Sequence, residues 1–433
     1  MASAAATSLA VATVDDWRTQ AHAIVDRIRP PRFPNRDFEI TRYGTDSSDA
    51  IRKAIAACSA AGGGRVVVPP GVYLTGPIYL RSNVNLHIAE GATLKFSRDP
   101  KDYPVVLTRW EGTECMNYAP LIYALDEQNI AVTGAGTLDG QADRDHWWPW
   151  KGDGVKDRAA LVAMADKDLP VKDRIFGPGH YLRPQFIQPY RSGNVLIEDA
   201  RIRNSPMWEV HPVLCQDVIV RNVEISSHGP NNDGCDPESC RDVLIQGCTF
   251  DTGDDCIAIK SGRNRDGRRI GVPCENLVIE KCNMKDGHGG VSIGSEASGG
   301  VRNVFVRDCR MSSPNLQRAL RIKTNSYRGG VIENVSFRNV TVQVANDIVQ
   351  IDFSYEEGEG GAFLPTVRNV EIRDVTCARA GTELNLRGYK SDPIRNVTVT
   401  HCNFDQTAMP NIIENVEGMH AEDVRINGKA LVL

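Results

Sequence analysis

No stretch of this chain reaches the roughly 18 consecutive apolar residues a membrane helix needs, so a spanning helix is excluded. Its twelve cysteines include no Cys-x-x-Cys pair, which removes zinc sites of the usual spacing. It has no basic excess: the net charge is −5. That argues against a nucleic-acid partner, which usually meets a basic face, although a local basic cluster could still grip a polyanion. A basic start is missing from the N-terminus too. Met1 to Ala12 are small and mostly apolar, and Ala10-Val11-Ala12 resembles the end of a secretory signal. Without a basic region the stretch reads either as a signal remnant or as a disordered tail.

What the chain does have is a repeat. Asn or Asp is followed by apolar residues at one position and at +2, +5 and +7 from it. The first apolar residues are Val195, Val218, Val243, Leu277, Val304, Val335, Val370 and Val397. Before them stand Asn194, Asp217, Asp242, Asn276, Asn303, Asn334, Asn369 and Asn396. All eight copies keep all four apolar positions. The spacing between copies varies from 23 to 35 residues, too loose for a helical repeat. Period two, a bend, then period two again reads as strand, corner, strand, and β-branched residues dominate the inward positions. The pattern predicts an all-β fold, a right-handed parallel β-helix whose coils are joined by loops that can grow.

Weaker copies at Asn83 to Ile88 and Asn129 to Val132 put the start of the solenoid near residue 65. Ile51, Ala54, Ile55 and Cys58 have helical spacing behind two possible caps, Asp46 and Ser47. That helix should close the open end of the solenoid. Another is expected from Asp15 to Arg29, stopped by Pro30-Pro31. Residues 143–180 break the pattern and carry Trp147, Trp148 and Trp150, as a long insertion on one face would. The expected organisation is an N-terminal segment over 1–40 and the solenoid over 41–433. The Asn/Asp row reads as a structural ladder. The Cys248–Cys282–Cys309 column reads as a buried stack, with a disulfide between neighbours as the alternative. Asn-x-Ser/Thr sequons begin at Asn334, Asn339 and Asn396. Two of them lie in the ladder, where glycosylation is not expected.

Four segments on successive coils depart from the apolar rule. They are Asn231-Asn232-Asp233-Gly234, Gly253-Asp254-Asp255, Gly287-His288-Gly289 and Arg321-Ile322-Lys323. Asp254 follows Val243 by 11 residues and His288 follows Leu277 by 11, so both fall on one face about 4.8 Å apart. Arg321 and Lys323 alternate around Ile322 and should point outward while Ile322 points in. Crowded carboxylates push each other's pKa apart, so one can stay protonated while another ionises. An acid for the leaving oxygen and a base for water are what glycosidic hydrolysis needs, and an Arg/Lys pair suits a carboxylate-bearing sugar. Each segment alone could be an ordinary solvated turn or strand. Calcium held by the three aspartates is the rival for the group.

In this order the four segments resemble family 28 of the glycoside hydrolases, the polygalacturonases and their relatives, over roughly residues 40 to 430. One departure is Asn232, where the family usually has Thr. The resemblance implies an inverting hydrolase that needs no metal or cofactor. By that resemblance Asp254 is the general acid. Asp233 and Asp255 hold and activate the attacking water. His288 supports the acid's protonation, and Arg321 and Lys323 bind the sugar carboxylate. Asn231, Gly289 and Arg263 are further expected substrate contacts, and Arg183 is another candidate carboxylate binder. Gly289 to Asn303 and Thr108 to Gly112 resemble the bacterial exo-acting branch. The insertion could then wall one end of a pocket, with its tryptophans stacking on sugar or merely packing.

The expected function is hydrolysis of α-1,4-galacturonosyl linkages of pectic oligo- or polysaccharide, acting from chain ends. A hydrolase of decorated pectin (rhamnogalacturonan or xylogalacturonan), a pectate lyase and a non-catalytic sugar-binding solenoid are the alternatives. A monomer is expected, with no nucleic acid and no membrane as partner. A polymer substrate argues for a secreted or periplasmic location; short oligomers would suit the cytoplasm.

Overall fold

The computed structural model of the chain describes residues 14–313 and 315–431. The possible signal remnant at Met1 to Ala12 lies outside them. Strand follows strand in parallel register, each coil hydrogen-bonded to the next, in one sheet system of 26 strands. This is the right-handed parallel β-helix the repeat predicts. Ile130, Val195, Val218, Val243, Leu277, Val304, Val335, Val370 and Val397 are successive register partners. All are buried, as are the +2, +5 and +7 rows. Each such side chain contributes about 1.5–3 kcal/mol of burial. The solenoid begins earlier than expected: Asp37–Glu39 already pairs in parallel with Arg65–Val67.

The polar residue before each copy turns the chain into the strand. Asn194, Asp217, Asp242, Asn276, Asn303, Asn334, Asn369 and Asn396 all have φ between 53° and 61°, a left-handed conformation that Asn and Asp tolerate best. Their side chains form the ladder. Asn303 donates to Asn276 at 2.9 Å, Asn334 to Asn303 at 3.0 Å and Asn369 to Asn334 at 3.0 Å. The sequon residues Asn334 and Asn396 are committed to it, and Asn339 donates to Asp308. All twelve cysteines are buried and free. Cys248, Cys282 and Cys309 stack as thiols, so the disulfide alternative is not realised.

Helix α1 (Val14–Arg27) and helix α2 (Ser47–Ala60) match the two expected helices. Asp46 is the cap of α2, accepting from the Asp49 amide at 2.8 Å. Ala50, Ile51, Ala54, Ile55 and Cys58 of α2 pack on the first coils. Helix α1 covers a lateral face instead. The residues between the first two inward positions are apolar in successive coils: Ala131, Leu196, Ile219, Leu244, Val278 and Phe305. They form one core with Ala21, Ile24 and Ile28. In the following coils the row becomes Ser336, Glu371 and Thr398, and the Arg338 guanidinium lies over the Trp17 ring.

The insertion holds helices α3 (Trp150–Asp153) and α4 (Val155–Asp166). It is joined by a feature the apolar pattern did not reveal, an antiparallel hairpin of Val105–Trp110 and Thr113–Tyr118, to which Ile175–Phe176 adds a third strand. Trp110, Cys115, Leu161, Phe176, Leu182, Met207 and Trp208 form a second core that fixes hairpin and insertion to the solenoid.

Candidate active site

On the face beneath this insertion, strands Ile257–Ile259, Gly289–Gly294 and Arg318–Lys323 lie side by side. Ile293 and Ile322 are register partners and point into the core. Ser292 and Arg321 pair on the outer face, as do Gly294 and Lys323. The alternation around Ile322 is therefore as expected.

Three carboxylates converge here. The nearest oxygens of Asp233, Asp254 and Asp255 all lie within 4.8 Å of one another. His288 Nδ1 is 3.1 Å from Asp254 Oδ1, and the His288 amide donates to the Asp254 carbonyl at 3.0 Å. The equal 11-residue offsets thus do bring acid and imidazole together. Asp233 aligns with Asp255 rather than Asp254, because the Gly234 amide donates to the Asp255 carbonyl at 3.0 Å. Lys323 Nζ donates to Asp255 Oδ2 at 2.8 Å. Asp233 and Asp255 are buried, whereas the Asp254 side chain keeps 22% of its surface exposed. Oδ1 of Asp233 and Oδ1 of Asp255 are buried without a partner, acceptors that need a polar guest.

The charges are not evenly placed. Burial, then the neighbouring Asp236 and Asp254, raise the Asp233 pKa well above the carboxylate range. Burial pushes Asp254 the same way, but the His288 hydrogen bond and the nearby Lys323 overcome it and bring Asp254 to about 2. The Asp254 contact in turn raises His288 above its ordinary value. The resemblance implies a proton on Asp254; burial here favours the neutral form of Asp233, while the contact between Asp254 and His288 favours an ionised carboxylate beside a charged imidazole. The reason is that Asp233 is sealed from water, and the Lys260 charge near it is outweighed by burial and by Asp236 and Asp254. Two of the three carboxylates already face protein cations, so the donor set fits a calcium ion poorly.

The other expected residues divide. Arg321 lines the face with a buried, unpartnered Nε, its guanidinium 5.2 Å from the Tyr355 ring centre. Gly289 supplies room rather than a contact. A Cβ there would stand 2.6 Å from Asp255 Oδ1 and 2.3 Å from Ser292 Oγ. Arg263, an expected substrate contact, lines the cavity but is also held by carboxylates. It lies 2.9 Å from Glu357, 3.3 Å from Glu356, 3.5 Å from Glu111 and 3.8 Å from Glu296, so its charge is already matched. Asn231 accepts from Arg183 and from Lys151, each at 2.7 Å. Asn232 ties the turn together, accepting from Ser227 and the Gly229 amide and donating to the Ser205 and Met207 carbonyls. Trp147 packs against Tyr103, Trp148 donates to the Ser205 carbonyl, and Trp150 lines a cavity of about 460 Å³ with Trp110, Glu111, Arg158, Arg183 and Arg263.

A buried polar group beside the aspartates escaped the sequence reading. Lys260 Nζ lies 3.2 Å from Glu296 and 3.7 Å from Asp236, and 4.4 Å from the Trp208 ring centre. Glu238 joins it with Arg109 at 3.2 Å and His211 at 2.8 Å. The signal was present: Asp236 and Glu238 flank Pro237 as Arg321 and Lys323 flank Ile322, and Lys260 follows Ile259.

The model of Glycosyl hydrolases family 28 matches residues 179–423. A crystal structure of a hyperthermoactive exopolygalacturonase from Thermotoga maritima is 45% identical and superposes with a TM-score of 0.91, covering 95% of this chain and 96% of that one. A probable polygalacturonase of Vitis vinifera is 28% identical over 406 residues, 89% of this chain and 74% of its own length. An exo-poly-alpha-D-galacturonosidase of Dickeya chrysanthemi is 26% identical over 80% of this chain and 64% of its own length. With more than half its length inside the family match and the four motifs gathered on one face, the chain is a glycoside hydrolase that belongs to glycosyl hydrolases family 28.

Proposed function

We propose that this enzyme hydrolyses α-1,4-galacturonosyl linkages of pectic chains from one end, with inversion. The observation that carries this reading is the carboxylate cluster with unsatisfied oxygens set beside an arginine that has no ion-pair partner among the described residues. Asp254 reaches the surface, and the proton of the His288 imidazolium it touches passes through it to the leaving oxygen. Asp255, paired with Lys323, takes the proton of the attacking water. Asp233, whose neutral form burial favours, fixes that water through the facing oxygen. Arg321 receives the sugar carboxylate, and Lys323 adds its charge from behind Asp255.

The exo reading is supported by the wall. Arg158 of α4 contacts Glu111 of the hairpin, and lies 3.3 Å from Glu356 of a loop some 200 residues on. Arg263 and Arg328 join the same loop, Arg328 at 3.0 Å from Glu357. Five segments are thereby tied together beside the cavity that Glu111, Arg158 and Arg263 line. The 45% identity to an exopolygalacturonase over nearly the whole chain agrees with this.

The test is time-resolved product analysis on unesterified polygalacturonate. Saturated mono- or digalacturonate from the first minutes, inverted at the new anomeric centre by proton NMR, is expected. Asp254→Asn should lower kcat by about 10³ or more. A ladder of oligomers would remove the exo assignment, an unsaturated product would indicate a lyase, and no product on plain or decorated pectin would leave a binding solenoid.

A further inference from the structure

The wall cations are not alike. Arg158, Arg263 and Arg328 each meet carboxylates of Glu111, Glu356 or Glu357. Arg183 and Lys151 meet none: neither takes part in an ion pair among the described residues. Arg183 is 1% exposed. Its guanidinium donates to the carbonyls of Pro206 and Pro230 and to Asn231 Oδ1. Lys151 Nζ donates to the same Asn231 oxygen at 2.7 Å, equal to the Arg183 distance. The two nitrogens therefore stand no more than twice that distance apart, with one neutral oxygen between them. Burial lowers the Arg183 pKa to about 10, against the pull of Glu111, Asp233 and Asp254. Two cations forced together with no counter-ion form a hole for an anion.

That hole opens where a substrate would lie. Lys151 and Arg183 both line the cavity with Trp150. The Trp150 ring is held by Tyr118, Trp147 and Tyr181 at 4.9–5.5 Å between centres. Asn231 is two residues from Asp233, and Arg321 lies coils away on the other side of the aspartates. Along the solenoid axis the order is Arg183 with Lys151, then Asp233, then Asp255, then the gap over Gly289, then Arg321. Successive coils are about 4.8 Å apart, so the carboxylates sit midway between two cation pairs.

We infer that Arg183 and Lys151 form a second carboxylate-recognition subsite, which receives the uronate group of the terminal sugar inside the walled cavity. The inference rests on the proposed function and deepens it: both sugars flanking the cleaved bond must be acidic. Arg183, its Nη1 committed to two carbonyls, contributes charge and the second Nη2 hydrogen and also positions the Asn231 turn, whereas Lys151, on the insertion, contributes charge alone.

Lys151→Met is the discriminating variant, because Lys151 is exposed and, among the described residues, its side chain hydrogen-bonds to Asn231 alone. Wild type, Lys151→Met and Lys151→Arg are compared on trigalacturonate, with galacturonate and galactose as inhibitors. The expected result is inhibition of wild type by galacturonate and not by galactose. In Lys151→Met the galacturonate Ki and the KM rise about tenfold, far more than kcat falls, and Lys151→Arg restores both. An unchanged galacturonate Ki in Lys151→Met would overturn the inference. So would a wild type that turns over trigalacturonate yet ignores galacturonate, or an arginine variant as impaired as the methionine one. A wild type inactive on every galacturonide would instead remove the functional reading beneath it.

Discussion

The asparagine ladder at the strand corners and the carboxylate row on the site face come from the same stacking of coils about 4.8 Å apart. An amide offers both donor and acceptor, so each asparagine satisfies the next: Asn276, Asn303, Asn334, Asn369 and Asn396 form an unbroken chain. An ionised carboxylate only accepts. Asp233 and Asp255 therefore cannot satisfy each other: the charge of Asp255 is met from another row by Lys323, and burial disfavours that of Asp233. One row is closed and structural. The other is open, and its unfilled valences are where chemistry can occur.

The largest effect should come from cutting the tie between the rows. Lys323→Met leaves Asp255 buried with no cation. Breaking such a pair costs about 3–5 kcal/mol, and kcat should fall by about 10² to 10⁴ as the base loses the partner that holds it in place. Chemical denaturation and kinetics read the two losses separately. Adding Asp255→Asn should recover most of the stability and none of the activity. If the double variant is as unstable as the single one, Lys323 packs rather than pairs.

A smaller effect is the pH response of the pair that reaches solvent. His288 has a raised pKa in the folded protein, so its contribution is present below about 6.5 and is lost as pH rises through the raised value. Asp254 is lowered to about 2, so its contribution is present above the ordinary carboxylate value and is lost as pH falls toward 2. The alkaline limb of kcat/KM should therefore lie above the ordinary histidine value, falling about tenfold per pH unit beyond it. NMR titration of His288 should show the same pKa, moving back toward 6.5 in Asp254→Asn. A histidine already titrating at 6.5 in wild type would separate the two residues.

The closed row and the fold were legible because they repeat: four apolar positions and one Asn/Asp, eight times. The catalytic face was legible where it broke that repeat, at Asp233, Asp254, Asp255, His288, Arg321 and Lys323. Lys260, Asp236 and Glu238 were not read, because single polar residues between apolar ones look like any outward strand position until neighbouring coils are aligned. The hairpin at 105–118 has no repeat to betray it. Arg263 reads as a free cation in one dimension. Its partners Glu111, Glu296, Glu356 and Glu357 come from three separate segments that only the fold assembles.

The ladder's own worth can be measured at Asn303. Asn303→Ala removes the donor to Asn276 and the acceptor of Asn334, and puts a Cβ-bearing residue without a compensating side chain at φ 58°. The expected loss is about 2–4 kcal/mol, with kcat unchanged because the site face is distant in register. Asn303→Gly, which tolerates the backbone angle, should lose roughly half as much. Equal losses would mean that the backbone angle carries none of the cost.

The smallest effect lies where the ladder itself contains carboxylates. Asn194 is followed by Asp217 and then Asp242. Asn194 Oδ1 is left as a buried acceptor without a donor, and Asp242 is met by Arg27 of α1. Burial and then Asp242 raise the Asp217 pKa, so the ionised form of Asp217 disfavours the fold above that value and the penalty disappears as pH falls below it. Asp217→Asn would supply the missing donor to Asn194 and remove one of two stacked charges. It should stabilise the protein by about 1 kcal/mol at pH 7. The gain should shrink toward zero near pH 3, where protonated Asp217 can itself donate to Asn194. A gain independent of pH would assign the effect to the amide's packing; no gain at all would mean that water already satisfies Asn194 and that the ladder tolerates a carboxylate as readily as the site does.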